Sequence, residues 1–177
     1  MARVTTKTAN WRLFGGSAIL AAGLLSLLAH FLHLGPLQAI AWALLAAGLV
    51  ILAFGQTGGN GAVGKYVIGK VALVLYAAGW VLLALTVIPV VLPSLVLKLA
   101  ALLVIVGGLV SAWAIERQAI AKGAAQWILF LPALVGALIM AAYIAPSLAT
   151  LDWMLDVLAI LFAITGALYL FNDRKLG

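Results

Sequence analysis

Residues 67–118 decide the fold and have the sequence VIGKVALVLYAAGWVLLALTVIPVVLPSLVLKLAALLVIVGGLVSAWAIERQ. This stretch contains two apolar runs, which are separated by Pro89 and Pro93 and have Gly79 and Gly108 near their middles. A helix that crosses a bilayer needs about 20 mostly apolar residues, and proline ends or breaks such a helix. The stretch therefore predicts two transmembrane helices joined by a short turn.

The rest of the chain repeats this pattern. Hydrophobic residues make up 67% of its 177 positions and charged residues 8%, with a mean hydropathy of +1.29. A soluble domain typically carries about 25% charged residues, so the bilayer is the solvent in which this composition is stable. We predict an all-α, polytopic membrane protein with one transmembrane domain over residues 1–177. Its six predicted transmembrane helices cover residues 13–34, 36–54, 67–88, 94–115, 125–144 and 153–171.

The basic residues indicate the orientation in the membrane. With six spans, nine of the ten Lys and Arg residues fall on one side, and Lys98 falls on the other with Asp152 and Asp156. Loops on the cytoplasmic side carry an excess of Lys and Arg. We therefore predict cytoplasmic N- and C-termini in the bacterial cytoplasmic (inner) membrane, with the lipid bilayer as a partner and no nucleic-acid partner. The nine residues are Arg3, Lys7, Arg12, Lys65, Lys70, Arg117, Lys122, Arg174 and Lys175.

Six glycines near the middles of the apolar runs indicate an internal repeat. Those of the odd-numbered helices lie 56 and 57 residues apart, and those of the even-numbered helices lie 60 and 58 residues apart. A second small residue stands seven positions earlier in five of the six runs, with Leu129 as the exception. We predict three copies of one helical hairpin, at approximately 11–55, 66–115 and 125–172, in which small residues let helix backbones pack closely. The six glycines are Gly23, Gly48, Gly79, Gly108, Gly136 and Gly166.

This arrangement resembles the HdeD family of small bacterial membrane proteins, which have six spans. The matching segments are Gly16-x6-Gly23 in the first span, Ala72-x6-Gly79 through Pro89 in the third, and Gly136 through Pro146 in the fifth. The resemblance covers most of the chain and rests on glycine and hydrophobic patterning. It implies an accessory role in acid or envelope stress, and it contributes no catalytic motif and no site residues.

Superposing the three hairpins on their glycines places three polar residues at one equivalent position. Gln38, Lys98 and Asp156 each lie ten residues before the glycine of an even-numbered helix. An ion pair between Lys98 and Asp156, with Gln38 as an amide partner, would satisfy groups that are costly when alone in hydrocarbon. We predict a polar cluster toward the outer leaflet. The alternative is that each side chain reaches water separately at the membrane boundary.

The odd-numbered helices have a counterpart to this cluster. His30, Thr86 and Tyr143 each lie seven residues after their glycine and are candidates for lining an outward-facing cavity. His30 and His33 are also the only plausible haem or metal ligands, but two histidines without a third ligand favour an interfacial hydrogen-bonding role. We therefore predict neither a metal nor a cofactor.

The remaining residues limit the functions open to the chain. Cysteine is absent, which excludes disulfides, thiolate metal sites and cysteine nucleophiles. Serine and threonine have no recognisable base beside them, and Trp42 and Trp80 are assigned to packing or to the lipid surface. We predict that the protein is not an enzyme but an accessory or structural membrane protein, stress-related or a subunit of a larger assembly, with a protein partner or a second copy of itself. The alternatives are a small oligomeric transporter or channel that uses the polar cluster, and an intramembrane enzyme that acts on lipid.

Overall fold

A computed structural model describes residues 11–55, 61–87, 93–144 and 153–171 of the chain, apart from the side chain of Tyr143. These residues form helices and no strand, and six helical segments are long and apolar enough to cross a membrane. The predicted all-α fold with six spans is confirmed, whereas the orientation of the termini stays a prediction. The helices are α1 (Trp11–Phe31), α2 (Gly35–Phe54), α3 (Val67–Val87), α4 (Ser94–Gln118), α5 (Ala124–Trp127), α6 (Phe130–Ile144) and α7 (Trp153–Leu170).

The six spans form a closed ring. Each of α1, α2, α3, α4, α6 and α7 packs against the next, and α7 packs extensively against α1, so the last helix of the chain meets the first. The short α5 precedes α6 and belongs to the same span. Helices on opposite sides of the ring do not approach each other closely within the described residues. Large side chains that point inward therefore fill the centre of the ring, and small ones leave it open.

The two ends of the ring differ in charge. One end, called the basic end below, contains the start of α1, the α2–α3 connection and the α4–α5 connection. The other end, called the histidine end, contains His30 and His33 between α1 and α2, together with Lys98 near the start of α4. The described basic residues of the basic end are Arg12, Lys65, Lys70, Arg117 and Lys122.

The basic end is closely packed because the connection between α2 and α3 folds back into the bundle. Ala62 and Val63 have no exposed surface, and the Ala62 N–H donates a hydrogen bond to the Leu52 carbonyl over 2.7 Å. Gly61 lies directly against the backbone of Leu52 and Ala53, where a Cβ atom would overlap them. A side chain at Gly61 would therefore push this connection out of the bundle.

Glycine makes the contact between α1 and α7 possible. A Cβ atom on Gly23 would lie 2.5 Å from the backbone nitrogen of Ala163, and one on Gly16 would lie 2.7 Å from that of Leu170. On α7, a Cβ atom on Gly166 would overlap the backbone nitrogen of Leu20. Small residues permit such close backbone approach, which increases van der Waals contact between helices in lipid.

The other predicted packing glycines differ in how closely they approach the neighbouring helices. Gly48 packs against Ile19 of α1, and Gly79 packs against Val104 of α4. In α4 the closest backbone approach is made by Gly107, whose added Cβ would lie 2.6 Å from the Tyr76 nitrogen, whereas Gly108 faces the Tyr76 ring. Gly136 has only ordinary contacts, because a Cβ atom there would lie 3.8 Å from Val104 and 3.9 Å from Leu158.

The third hairpin departs from the first two. The contact between α6 and α7 is the least extensive in the ring, although these helices are the predicted hairpin partners. Pro132 has no N–H to donate to the Ile128 carbonyl, and Leu131 donates to that carbonyl instead, over 3.2 Å. The helix is therefore interrupted at Ile128 and Leu129, between α5 and α6, at the basic end of the span.

The predicted helix bounds need small corrections. The connection between the first two predicted spans lies earlier than residue 35, because His33 adopts the left-handed conformation with φ 52° and Gly35 already begins α2. α4 continues to Gln118 rather than ending at residue 115. The predicted breaks at Pro89 and Pro146 lie outside the described residues.

A matched pair of glycine substitutions tests the close α1–α7 contact. Gly166→Ala places a methyl group against the backbone of α1 and should lower stability by about 1–3 kcal/mol, the usual cost of overpacking. Gly136→Ala is the control, because its methyl group enters an ordinary contact. Thermal unfolding of the purified protein in one detergent measures both. Equal stability of the two variants would contradict the close contact.

Candidate binding site

A cavity of about 310 Å³ lies inside the ring at the histidine end. All six spanning helices line it, through the C-terminal halves of α1, α3 and α6 and the N-terminal halves of α2, α4 and α7. We call this cavity the cup. It is lined by Ala22, Gly23, Ser26, Ala29, His30, His33, Leu34, Gly35, Gln38, Ala41, Trp42, Leu45, Trp80, Leu83, Thr86, Leu97, Met140, Leu155, Asp156, Leu158, Ala159 and Phe162.

Aromatic side chains form the deepest part of the cup. Trp80 is 1% exposed, and its ring lies 6.0 Å from that of Trp42 and 5.6 Å from that of Phe162, centroid to centroid. Tyr76, one turn further toward the basic end, meets Trp80 edge-on at 6.1 Å. Because these rings come from α2, α3 and α7, they fill the middle of the ring and separate the cup from the basic end.

One polar pair joins α1 to α2 at the wall of the cup. The Gln38 amide nitrogen donates a hydrogen bond to the Ser26 hydroxyl over 2.7 Å, and that hydroxyl lies 3.1 Å from the Gln38 amide oxygen. Both side chains are partly buried. A hydrogen-bonded pair of this kind satisfies polar groups that would otherwise be costly in hydrocarbon.

A second polar pair joins α1 to α7. His30 Nε2 lies 3.7 Å from Asp156 Oδ2, with 38% of the histidine side chain and 30% of the aspartate side chain exposed. The second carboxylate oxygen, Oδ1, is enclosed and has no hydrogen-bond partner within the described part of the chain. Asp156 lies in the first turn of α7, where the helix dipole favours a negative charge.

The two predicted polar sets converge on this one cavity. Gln38 and Asp156 belong to the predicted cluster of the even-numbered helices, and His30 and Thr86 belong to the counterpart of the odd-numbered helices. The Thr86 hydroxyl donates to the Leu83 carbonyl over 2.6 Å within its own helix. The side chain of Tyr143 lies outside what the structure describes.

Lys98 does not join the predicted cluster. Its side chain is exposed, it does not line the cup, and no ion pair connects it to Asp156 in the described residues. The residue before it, Leu97, lines the cup instead. Because α4 makes its closest approach through Gly107 rather than Gly108, the position ten residues before the packing glycine is Leu97. Lys98, the next residue, is rotated by about 100° around the helix axis relative to Leu97 and points away from the cavity.

Several lining residues carried no clear signal in the sequence. Ser26 is one hydroxyl among many in apolar helices, and its role emerges only from the packing of α1 against Gln38. The sequence pattern favours packing or lipid contact for Trp42 and Trp80 and carries no signal at Phe162, whereas all three line the cup. A ring of helices brings these positions together from three parts of the chain, which no local pattern reveals.

The histidines are placed as neighbours rather than as a ligand set. The rings of His30 and His33 lie 6.3 Å apart, and His33 is exposed at the rim. Within the described ranges, no three His, Cys, Asp or Glu side chains lie close enough together to hold a metal ion. The absence of a metal and of a cofactor stays a prediction.

No protein-family model matches this chain, and no curated protein or solved structure matches it either. The ring and its cup define a six-helix membrane protein with an internal cavity that is closed toward the basic end. The chemistry of the cup is therefore the basis on which a function is proposed.

A pair of serine substitutions on α1 tests the wall of the cup. Ser26→Ala leaves the Gln38 amide without its partner and should lower stability by about 1 kcal/mol, since a partly buried amide loses its hydrogen bond. Ser17→Ala is the control, because that exposed hydroxyl bonds only the Phe14 carbonyl of its own helix. Chemical unfolding in mixed micelles compares the two. A larger loss for the Ser17 variant would contradict the assignment.

Proposed function

We propose that this chain is a non-enzymatic membrane protein that binds a small amphipathic molecule in the cup. The observation that carries the proposal is one largely apolar cavity of about 310 Å³ in which polar side chains from several helices converge. Ligand sites are typically concave, mostly apolar and about 300–1,000 Å³ in volume, with a few polar groups that orient the ligand.

The two parts of the cup suit two parts of such a molecule. An apolar group would lie against Trp80 and Phe162, which form the deep wall. A polar group would lie near the rim beside His30, Gln38 and Asp156. Because the cup opens at one end of a membrane-spanning ring, its ligand would come from the membrane boundary at that end.

Transport is the second candidate, and one observation favours it. The helix interruption at Ile128 and Leu129 lies at the basic end, and broken helices are common in transporters. Passage of a ligand would require Trp80 and the packed connection at residues 61–66 to move aside. Binding in the cup is the first step of either function, so ligand binding is the proposal.

The accessory role and the membrane of residence belong to this proposal as well. We propose a bacterial cytoplasmic membrane location with cytoplasmic termini, supported by the basic residues gathered at one end of the ring. The cup would then open on the periplasmic side. A role in acid or envelope stress, and a protein partner or second copy in the membrane, remain predictions from the sequence.

Single cysteines test this orientation, because the chain has none of its own. His33→Cys and Lys65→Cys replace exposed residues at opposite ends of the ring. In intact bacterial cells, a membrane-impermeant maleimide should label Cys at 33, and it should label Cys at 65 only after the membrane is permeabilised. The reverse pattern would place the cup on the cytoplasmic side.

Filling the cup tests ligand binding. Thr86→Phe places a ring in the cavity and should weaken binding of 2-phenylethanol, a small amphipathic probe, at least tenfold. Leu85→Phe is the control, since it places the same ring on the neighbouring residue, which is exposed. Titration calorimetry in zwitterionic lipid nanodiscs, with empty nanodiscs subtracted, measures both. Unchanged binding by the Thr86 variant, or no binding by the original chain, would overturn the proposal.

A further inference from the structure

The Asp156 carboxylate has an ion-pair contact with His30 but no hydrogen bond within the described part of the chain. Its Oδ2 atom lies 3.7 Å from His30 Nε2, which is longer than a hydrogen bond. Its Oδ1 atom is enclosed and has no partner among the described residues. Ionisable groups within spanning segments usually pair with another group, because an isolated charge is costly there. Within the described residues, this carboxylate can therefore accept a hydrogen bond from a bound molecule.

The charged residues around the cup favour a ligand whose hydrogen-bond donor is positively charged. Asp156 is the only acidic residue among the lining residues, and none of them is Lys or Arg. The titratable groups that line the cup with it are His30 and His33, both from the α1 side. Lys98, the described lysine of this end, is exposed on the outer surface and turned away.

The separation of Asp156 and Phe162 along the axis of α7 indicates the approximate length of the ligand. Asp156 and Phe162 lie six residues apart on α7 and both line the cup, which corresponds to about 9 Å along the helix axis. Phe162 packs edge-on against Trp80, with ring centroids 5.6 Å apart. A molecule with a charged group at one end and an apolar ring at the other spans this distance.

We propose that the ligand of the cup is a protonated amine that carries an apolar, preferably aromatic, group. Its ammonium donates a hydrogen bond to Asp156 Oδ2, the more accessible side of the carboxylate, and its apolar group lies against Trp80 and Phe162. The charge-assisted bond supplies a donor that the described residues do not. This inference rests on the proposed ligand-binding function and adds the chemical class of the ligand.

Two probes of nearly equal shape test the charge preference. 2-Phenylethylammonium and 2-phenylethanol differ in one positive charge, and their affinities are compared by titration calorimetry in zwitterionic nanodiscs. We expect the original chain to bind the amine at least tenfold more tightly than the alcohol. Asp156→Asn should remove this difference by weakening amine binding alone, whereas Asp156→Glu should retain a preference for the amine.

A control variant distinguishes the loss of the Asp156 carboxylate from the loss of a negative charge elsewhere on the protein. Glu116→Gln removes the same single negative charge at the basic end, far from the cup, and should leave the preference unchanged. Equal affinities for the two probes in the original chain, or an Asn variant that weakens both probes alike, would overturn the inference. If the alcohol still binds and Thr86→Phe still blocks it, the proposed function survives that result. If neither probe binds the original chain, both proposals fail.

Discussion

The contact between α1 and α7 is the constraint on which the rest of the structure depends. Gly23 and Gly166 bring the backbones of these two helices to a separation that no side chain larger than hydrogen permits. In lipid, apolar side chains gain little by leaving the solvent, so close van der Waals packing of this kind supplies much of the energy of helix association. Without it, α1 and α7 would not meet and the helices would not form a closed ring.

Closure of the ring creates the cup and also determines its chemistry. The α1–α7 contact brings His30 beside Asp156, and the α1–α2 contact brings Ser26 beside Gln38. Large rings from α2, α3 and α7 fill the centre below them. The result is a cavity with an apolar base and a polar rim, in which Asp156 Oδ1 has no hydrogen-bond partner among the described residues.

Hydropathy predicts the fold well because the bilayer sets the length of each span. The predicted spans agree with the helices to within about three residues at each end. The repeat also places Gln38, Asp156, His30 and Thr86 at one end of the bundle, where all four line the same cavity. The position of a residue along the helix axis follows directly from its residue number. These predictions depend only on that axial position.

Rotation about the helix axis is harder to predict, and Lys98 illustrates why. Its predicted position along the helix axis is correct. However, α4 packs through Gly107 instead of Gly108, and this rotation turns Leu97 toward the cup and Lys98 away from it. Adjacent glycines are indistinguishable in a hydropathy pattern. The pairing of His30 with Asp156 also depends on which helix closes the ring, and a hairpin repeat does not specify that neighbour.

The order of the helices in the chain has a consequence for biosynthesis. The most extensive contact of α1 outside its predicted hairpin is with α7, which is synthesised after the other described helices. Until α7 enters the membrane, the small-residue face of α1 has only lipid against it, and the cup lacks one wall. Contacts between the two ends of a chain are made late, because they require the longest loop to close. The cup is therefore completed only after α7 has entered the membrane, and a chain truncated before α7 would have an open bundle with no enclosed cavity.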